Sequence, residues 1–153
     1  MIAFAGDPFM NTNAKPNYDL VLVSPPSRMV NHYRPPVALL YIAGYLRKMG
    51  FRVRIIDVPM KETVRTKRFN ANLLQTLQGI EDQMVEQFQA LRTKIVGITC
   101  YSSEFGEVLH MARRFKALCP DVKVVVGGAH STLYPESFFE DADRPVDLSL
   151  IHI

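Results

Sequence analysis

The sequence predicts a doubly wound α/β domain with a mostly parallel five-stranded sheet in the flavodoxin-like order 2-1-3-4-5. Three observations predict it. Short apolar, β-branched runs alternate along the chain with longer stretches of helical period. The runs lack the clean in/out alternation of a sheet with one wet face, so they suit strands covered on both sides. Breakers bound them, as at Pro25-Pro26, Gly50 and Pro120.

The first predicted strand is residues 19–24, DLVLVS, a continuous apolar run stopped by the prolines. Residues 51–58, FRVRIIDV, alternate and then turn apolar before an acid. Residues 94–100 (KIVGITC) and 122–126 (VKVVV) are β-branched, and residues 146–151 offer a fifth strand. Between them lie three helical patterns. Residues 37–49 place Leu39, Ile42, Ala43, Leu46 and Met49 on one face, with Pro36 near the start and Gly50 past the end. Residues 69–91 carry Leu73, Leu77, Ile80, Met84, Phe88 and Leu91 on one stripe. Residues 104–118 carry Phe105, Val108, Leu109, Ala112 and Phe115, with Ser103 available as an N-cap and Pro120 beyond the end.

A chain of 153 residues is long enough for one domain with a real core. Apolar residues make up 48% and charged residues 22%, an ordinary globular balance. A net charge of +3, without a basic stripe interleaved with aromatics, argues against a nucleic-acid partner. Arg65, Lys67 and Arg68 read as a solvated helix entry. Two cysteines, Cys100 and Cys119, form neither a disulfide framework nor a CxxC, which fits a reducing, cytoplasmic setting. No apolar run approaches the roughly 20 residues of a membrane span. Residues 1–18 read as a flexible lead-in.

In open sheets of this class a ligand binds outside the carboxyl ends of the strands, where the strand order reverses. The unusual loops of this chain fall on that edge. SPPSRMVNHYRPP, residues 24–36, follows the first strand, TCYSSE the third and GGAHST the fourth. The connections at the opposite edge are lean. Two adjacent glycines after an apolar run strip side chains from a length of backbone, which suits something lying against it. Phosphate-cradling motifs are missing: the chain has no GxxxxGK[ST], and no GxGxxG follows the first strand. The acidic cluster of a phospho-acceptor domain is also missing, with Ser24 and Thr99-Cys100 in its place.

The stretches PPVALLYIAGYLRKMGFRVRIIDV and VGITCYSSEFGEVLHMARRFKALCPDVKVVVGGAHSTLYPE resemble the N-terminal cobalamin-binding domain of the radical S-adenosylmethionine enzymes. The likeness runs from about Asp19 to Asp147. It implies a Rossmann-like cobalamin-binding fold over residues 19–148, with the corrin ring on the carboxyl edge and the nucleotide tail in a slot beside the sheet. Gly127 and Gly128 would let that tail pass close to the fourth strand, and Thr99, Ser102 and Ser103 would offer it hydroxyls. Ser24, Pro25, Pro35, Pro36 and His130 complete the expected cofactor-facing set. Tyr33, Arg34 or the Pro35-Pro36 rim would meet the lower face of the ring. Independently of any family, small residues and hydroxyls lining a slot suit a large, partly apolar ligand with a phosphodiester.

The chain departs from the pattern in two places. Classical cobalamin modules carry DxHxxG after the first strand, its histidine replacing the cofactor's own base on cobalt, and here that motif is missing. His32 is the nearby imidazole, and its neighbours do not match. The resemblance therefore implies base-off cobalamin with no protein histidine on the metal. The radical chemistry also needs a CxxxCxxC loop for a 4Fe-4S cluster that leaves one iron open to S-adenosylmethionine. Two cysteines cannot supply it. The expected reading is a binding module of a truncated parent, itself a radical methyltransferase or cyclase whose catalytic domain would be the partner, with residues 149–153 a truncated terminus. The loss of a fifth helix would leave one sheet face partly bare.

Other residues keep two readings. His130 either faces the tail or ring edge, or caps a helix begun near Pro135. Asp57 either holds a polar group or caps the strand end. Cys100 reads as a small apolar filler, His110 as solvent-facing. Two other functions remain open: a flavodoxin-like interaction or signalling domain without a cofactor, and the nucleotide-binding half of a glycosyltransferase.

Overall fold

A computed structural model describes residues 17–26, 35–57, 73–140 and 142–150. The elements follow in the order β1 (Leu20–Val23), α1 (Val37–Lys48), β2 (Val53–Ile56), α2 (Leu73–Leu91), β3 (Ile95–Thr99), α3 (Phe105–Leu118), β4 (Lys123–Gly127), α4 (Ala129–Leu133) and β5 (Leu148–Ser149). Two 3-10 turns, Ser102–Glu104 and Pro135–Phe139, precede α3 and follow α4. The strands form one parallel five-stranded sheet in the order β2-β1-β3-β4-β5. The expected fold class holds in full. The lead-in, His32, Tyr33, Arg34, the Arg65–Arg68 cluster, Phe69 and His152 lie outside the described residues, as do the side chains of Leu73 and Leu77.

Strand parity divides the core. Val21, Val23, Ile56, Val96, Ile98, Val124 and Val126 pack against Ile80, Met84, Val85 and Phe88 of α2 and Val108, Met111, Ala112 and Phe115 of α3. Burial of this kind is worth roughly 25 cal/mol per Å² of apolar surface, so this face supplies most of the hydrophobic stabilisation. The opposite face is smaller. There Leu22 and Val53 meet Leu39 and Ala43 of α1, with Leu20, Leu46 and Ile55 at the margin. Ile42 and Met49, expected on the buried face of α1, are 46% and 58% exposed. α1 lies over a single strand pair, so it buries only the narrow Leu39, Ala43, Leu46 stripe.

Beyond β1 and β2 the α1 face is thinly covered. Ile95 and Leu148 are exposed and Val125 is half-buried. Gly97, Thr99 and Gly127 share this face by parity and are also half-buried.

The turns close as the sequence punctuation requires. Gly50 sits at φ +92°, and the N–H groups of Gly50 and Phe51 donate to the carbonyls of Arg47 and Leu46 at 3.0 and 3.1 Å. This is a Schellman closure, which satisfies carbonyls a helix end would leave orphaned. The entry to α3 differs from expectation. Ser103 lies inside the 3-10 turn and Glu104 takes the N-cap position without a side-chain bond to the helix N–H groups, so no serine caps α3. At the sheet edge the carboxylate of Asp147 accepts from Val124 N–H at 2.8 Å and Lys123 Nζ at 3.1 Å, and pairs with Lys116. Partial burial opposes its ionisation, but these donors outweigh it and hold the carboxyl below its usual range.

Candidate functional site

The ends of β3 and β4 are tied together by backbone bonds. Thr99 and Gly127 are register partners, Cys100 N–H donates to the Gly127 carbonyl at 2.7 Å, and His130 N–H donates to the Cys100 carbonyl at 3.1 Å. The chain therefore turns sharply out of β4 and folds back over the end of β3. Gly128 makes that turn at φ +106°, ψ −172°, a region open essentially to glycine alone. A Cβ there would lie 2.8 Å from the Cys100 carbonyl oxygen and 3.1 Å from Thr99 Oγ1. The space beside Gly128 is thus filled by the chain itself. Gly127 is different: a Cβ would meet only Leu150, at an ordinary 3.9 Å. The glycines stand side by side in sequence yet meet different surroundings.

Of the expected positions, Thr99, Ser102, Ser103, Gly127, Gly128 and His130 fall on this junction. Thr99 is half-buried beside Gly127, and Ser102 and Ser103 are exposed in the turn that follows. Ser24 lies at the same carboxyl edge but is turned toward β2, its N–H donating to the Ile56 carbonyl at 3.0 Å. Pro25 is buried, Pro35 is exposed, and Pro36 is the N-cap of α1.

His130 is 8% exposed and its ring is fully engaged. Nδ1 lies 3.0 Å from Ser102 Oγ and Nε2 lies 3.1 Å from Ser137 Oγ. Phe105, Phe138 and Tyr134 pack around the ring with centroids 4.6, 5.5 and 5.4 Å away. It is a buried strut between the 3-10 turn before α3 and the one after α4. Ser137 and the aromatic cage went unnoticed in the sequence, since Ser137 resembles any loop serine.

Cys100 is fully buried, and its thiol is pushed up to about 12, by burial first and then by Glu104 and Glu107 nearby. It is the inert filler the sequence suggested. Native protein near neutral pH is expected to leave Cys100 unmodified by iodoacetamide, with labelling appearing only on unfolding; peptide mass spectrometry checks this. The raised value also has a stability consequence. An unfolded thiol titrates near 9 and the folded one near 12, so its contribution is present below pH 9 and lost as pH rises through 12. His110, expected to face solvent, is half-exposed and places Nδ1 2.9 Å from Glu81 Oε2 across the α2–α3 contact. Asp57 is half-buried at the end of β2.

The junction suits an amphipathic ligand. Thr99, Ser102 and Ser103 supply hydroxyls, while Tyr101, Leu133, Tyr134 and Leu150 around them are more than half exposed. Ser131, next to His130, is fully buried and its Oγ finds no hydrogen-bond partner among the described residues, an unmet polar group in the same loop. Half-buried Thr99 and Gly127 form a floor without bulky side chains on the sheet face that α1 leaves thinly covered. Hydroxyls, an open glycine and apolar walls fit a cobalamin, whose tail carries hydroxyls, a phosphodiester and a flat aromatic base. Among the described residues no group of three or more His, Cys, Asp and Glu side chains is placed to hold a metal ion. No described helix is long and apolar enough to cross a membrane.

Comparison with known proteins places the chain in a family. The B12 binding domain family matches residues 28–149. Cytidylyl-2-hydroxyethylphosphonate methyltransferase of Streptomyces wedmorensis is 25% identical over 128 residues, 80% of this chain and 24% of that protein. Anaerobic magnesium-protoporphyrin IX monomethyl ester cyclase of Rubrivivax gelatinosus is 28% identical over 103 residues, 67% of this chain and 16% of that protein. The chain spans about a quarter or less of the length of these curated relatives.

Proposed function

Because the chain belongs to the B12 binding domain family, we propose that it is a cobalamin-binding module. In this reading it holds the cofactor base-off, with no protein histidine on cobalt, and presents it to the catalytic domain of a radical S-adenosylmethionine protein. The observation that carries the reading is the floor at the β3–β4 junction, where Thr99 and the side-chain-free Gly127 lie side by side below the Ser102–Ser103 turn. Thr99, Ser102 and Ser103 would hydrogen-bond the nucleotide tail, and Gly127 would let it approach the strand. Tyr101, Leu133, Tyr134 and Leu150 would shield the ring edge from water. The cofactor, when bound, supplies a cobalt centre able to carry a methyl group or accept electrons. The names of the relatives, one a methyltransferase and one a cyclase, support a partner domain of either chemistry. The 4Fe-4S cluster and S-adenosylmethionine would belong to that partner, since this sequence has only two cysteines.

The test is direct. Purified protein is mixed with hydroxocobalamin and desalted, and its visible spectrum is recorded. Cobalamin that stays with the protein and shows base-off absorbance is the expected result. A folded protein from which all the corrinoid passes through would contradict the proposal and return the domain to a cofactor-free interaction role.

A further inference from the structure

Ser102 and His130 are separated by 28 positions in sequence yet lie 3.0 Å apart at the candidate site. The direction of the hydrogen bond between them follows from a third residue. Ser137 Oγ donates to the Tyr134 carbonyl at 2.7 Å. A hydroxyl has one proton, so toward His130 Nε2, 3.1 Å away, Ser137 acts as acceptor and Nε2 bears hydrogen. A neutral imidazole protonated on Nε2 has a bare Nδ1, and that nitrogen takes the proton of Ser102. The ring cannot readily turn to exchange the two nitrogens, because Phe105, Phe138 and Tyr134 enclose it. Its own N–H and the Cys100 carbonyl fix the backbone beneath.

We infer that His130 is a positioning residue that turns the Ser102 hydroxyl proton inward, so that exposed Ser102 meets the ligand as an acceptor for an amide or hydroxyl donor. The inference rests on cobalamin occupying this edge, and it goes beyond that reading by giving His130 a role without contact. A corrinoid offers such donors in its amide side chains and in the hydroxyl of its tail. A serine free to rotate would accept or donate equally well; one held by Nδ1 discriminates. Ser102 thereby selects for a donor at this point, although the residue that sets the preference is buried.

Hydroxocobalamin affinity is measured by visible titration for the wild-type chain, Ser102→Ala, His130→Phe, His130→Asn and the Ser102→Ala/His130→Phe double variant, alongside melting temperature. Phenylalanine keeps the aromatic packing but has no acceptor; Ser102 is then free to turn its proton toward the ligand, and binding is expected to weaken about threefold, the cost of orienting a hydroxyl with three rotamers. Asparagine restores an acceptor near the Nδ1 position, and is expected to recover most of the affinity even where its melting temperature is lower. In the Ser102→Ala background His130→Phe is expected to add nothing. Unchanged binding in His130→Phe, affinities that follow melting temperature, or independent effects in the double variant would overturn the inference while leaving cobalamin binding intact. A wild-type chain that binds no corrinoid would instead remove the underlying reading. Two-bond proton–nitrogen spectra of the histidine-labelled wild-type chain give a readout that needs neither variants nor cofactor. The Nε2–H tautomer is expected for His130, and an Nδ1–H tautomer would overturn the inference.

Discussion

Gly128→Ala is expected to cost about 3 kcal/mol or more of folding stability, whereas Gly127→Ala leaves stability within about 1 kcal/mol of the parent. The difference is geometric. Gly128 occupies φ +106°, ψ −172°, where a side chain is strained whatever the space, and its Cβ would also press within 2.8 Å of the Cys100 carbonyl oxygen. Backbone cannot move aside as a flexible side chain can. The strain falls on the turn that ties β4 to the end of β3, so corrinoid retention is expected to fall with stability. Gly127 has no positive φ, and its added methyl would make an ordinary contact with Leu150 at 3.9 Å. Urea unfolding of the two variants separates them. Equal tolerance at both positions would show that the tight turn at Gly128 is not as described.

Phe88→Ala is expected to cost about 3–5 kcal/mol, through lost burial and the cavity left behind. Phe88 is 1% exposed and packs against Phe115 with ring centroids 4.4 Å apart, joining α2 to α3 over the larger core. Domains of this kind have about 5–15 kcal/mol in total, so the variant would stand close to its unfolding transition at room temperature. Denaturant titration reads this as a lower midpoint with an unchanged slope. A loss below about 1 kcal/mol would mean that the α2–α3 core repacks freely around the missing ring.

The contrast between the two glycines marks where sequence stops being informative. As letters they are identical, and both read as room for a ligand. Only the pairing of Thr99 with Gly127, and the return of the chain over Cys100, show that Gly128 serves the turn while Gly127 has room for a side chain beside Leu150. The strands were legible because covered parallel strands need continuous β-branched runs, and VKVVV and KIVGITC can do little else. The parallel, doubly wound sheet followed from the alternation of strands and helices, and its order from the flavodoxin-like class. The buried face of α1 was partly misread, because a helical stripe does not reveal how many strands lie beneath it. α4 was missed, since the five residues of Ala129–Leu133 are too few to show a period, and the helix expected near Pro135 is a 3-10 turn.

His130 shows the same limit for the site. The sequence placed it at the carboxyl edge, in the loop after the fourth strand, and it lies there. Its two serine partners lie 28 residues before it and 7 after it, and their convergence depends on β3 and β4 lying side by side. Local spacing could not express that. Hydroxyl-rich loops were legible as loops with chemistry; which hydroxyl is exposed and which supports another was not.

The central claim is that the carboxyl ends of β3 and β4 form the cobalamin surface. Hydrogen–deuterium exchange with and without hydroxocobalamin tests it most directly, because amides at a binding surface exchange more slowly when the ligand is held there. Peptides covering residues 99–104 and 127–134 are expected to gain protection, while those covering 49–52 and 119–122, at the opposite edge of the sheet, stay unchanged. Protection at the opposite edge, or none at residues 99–104 and 127–134 while absorbance reports bound corrinoid, would contradict the claim.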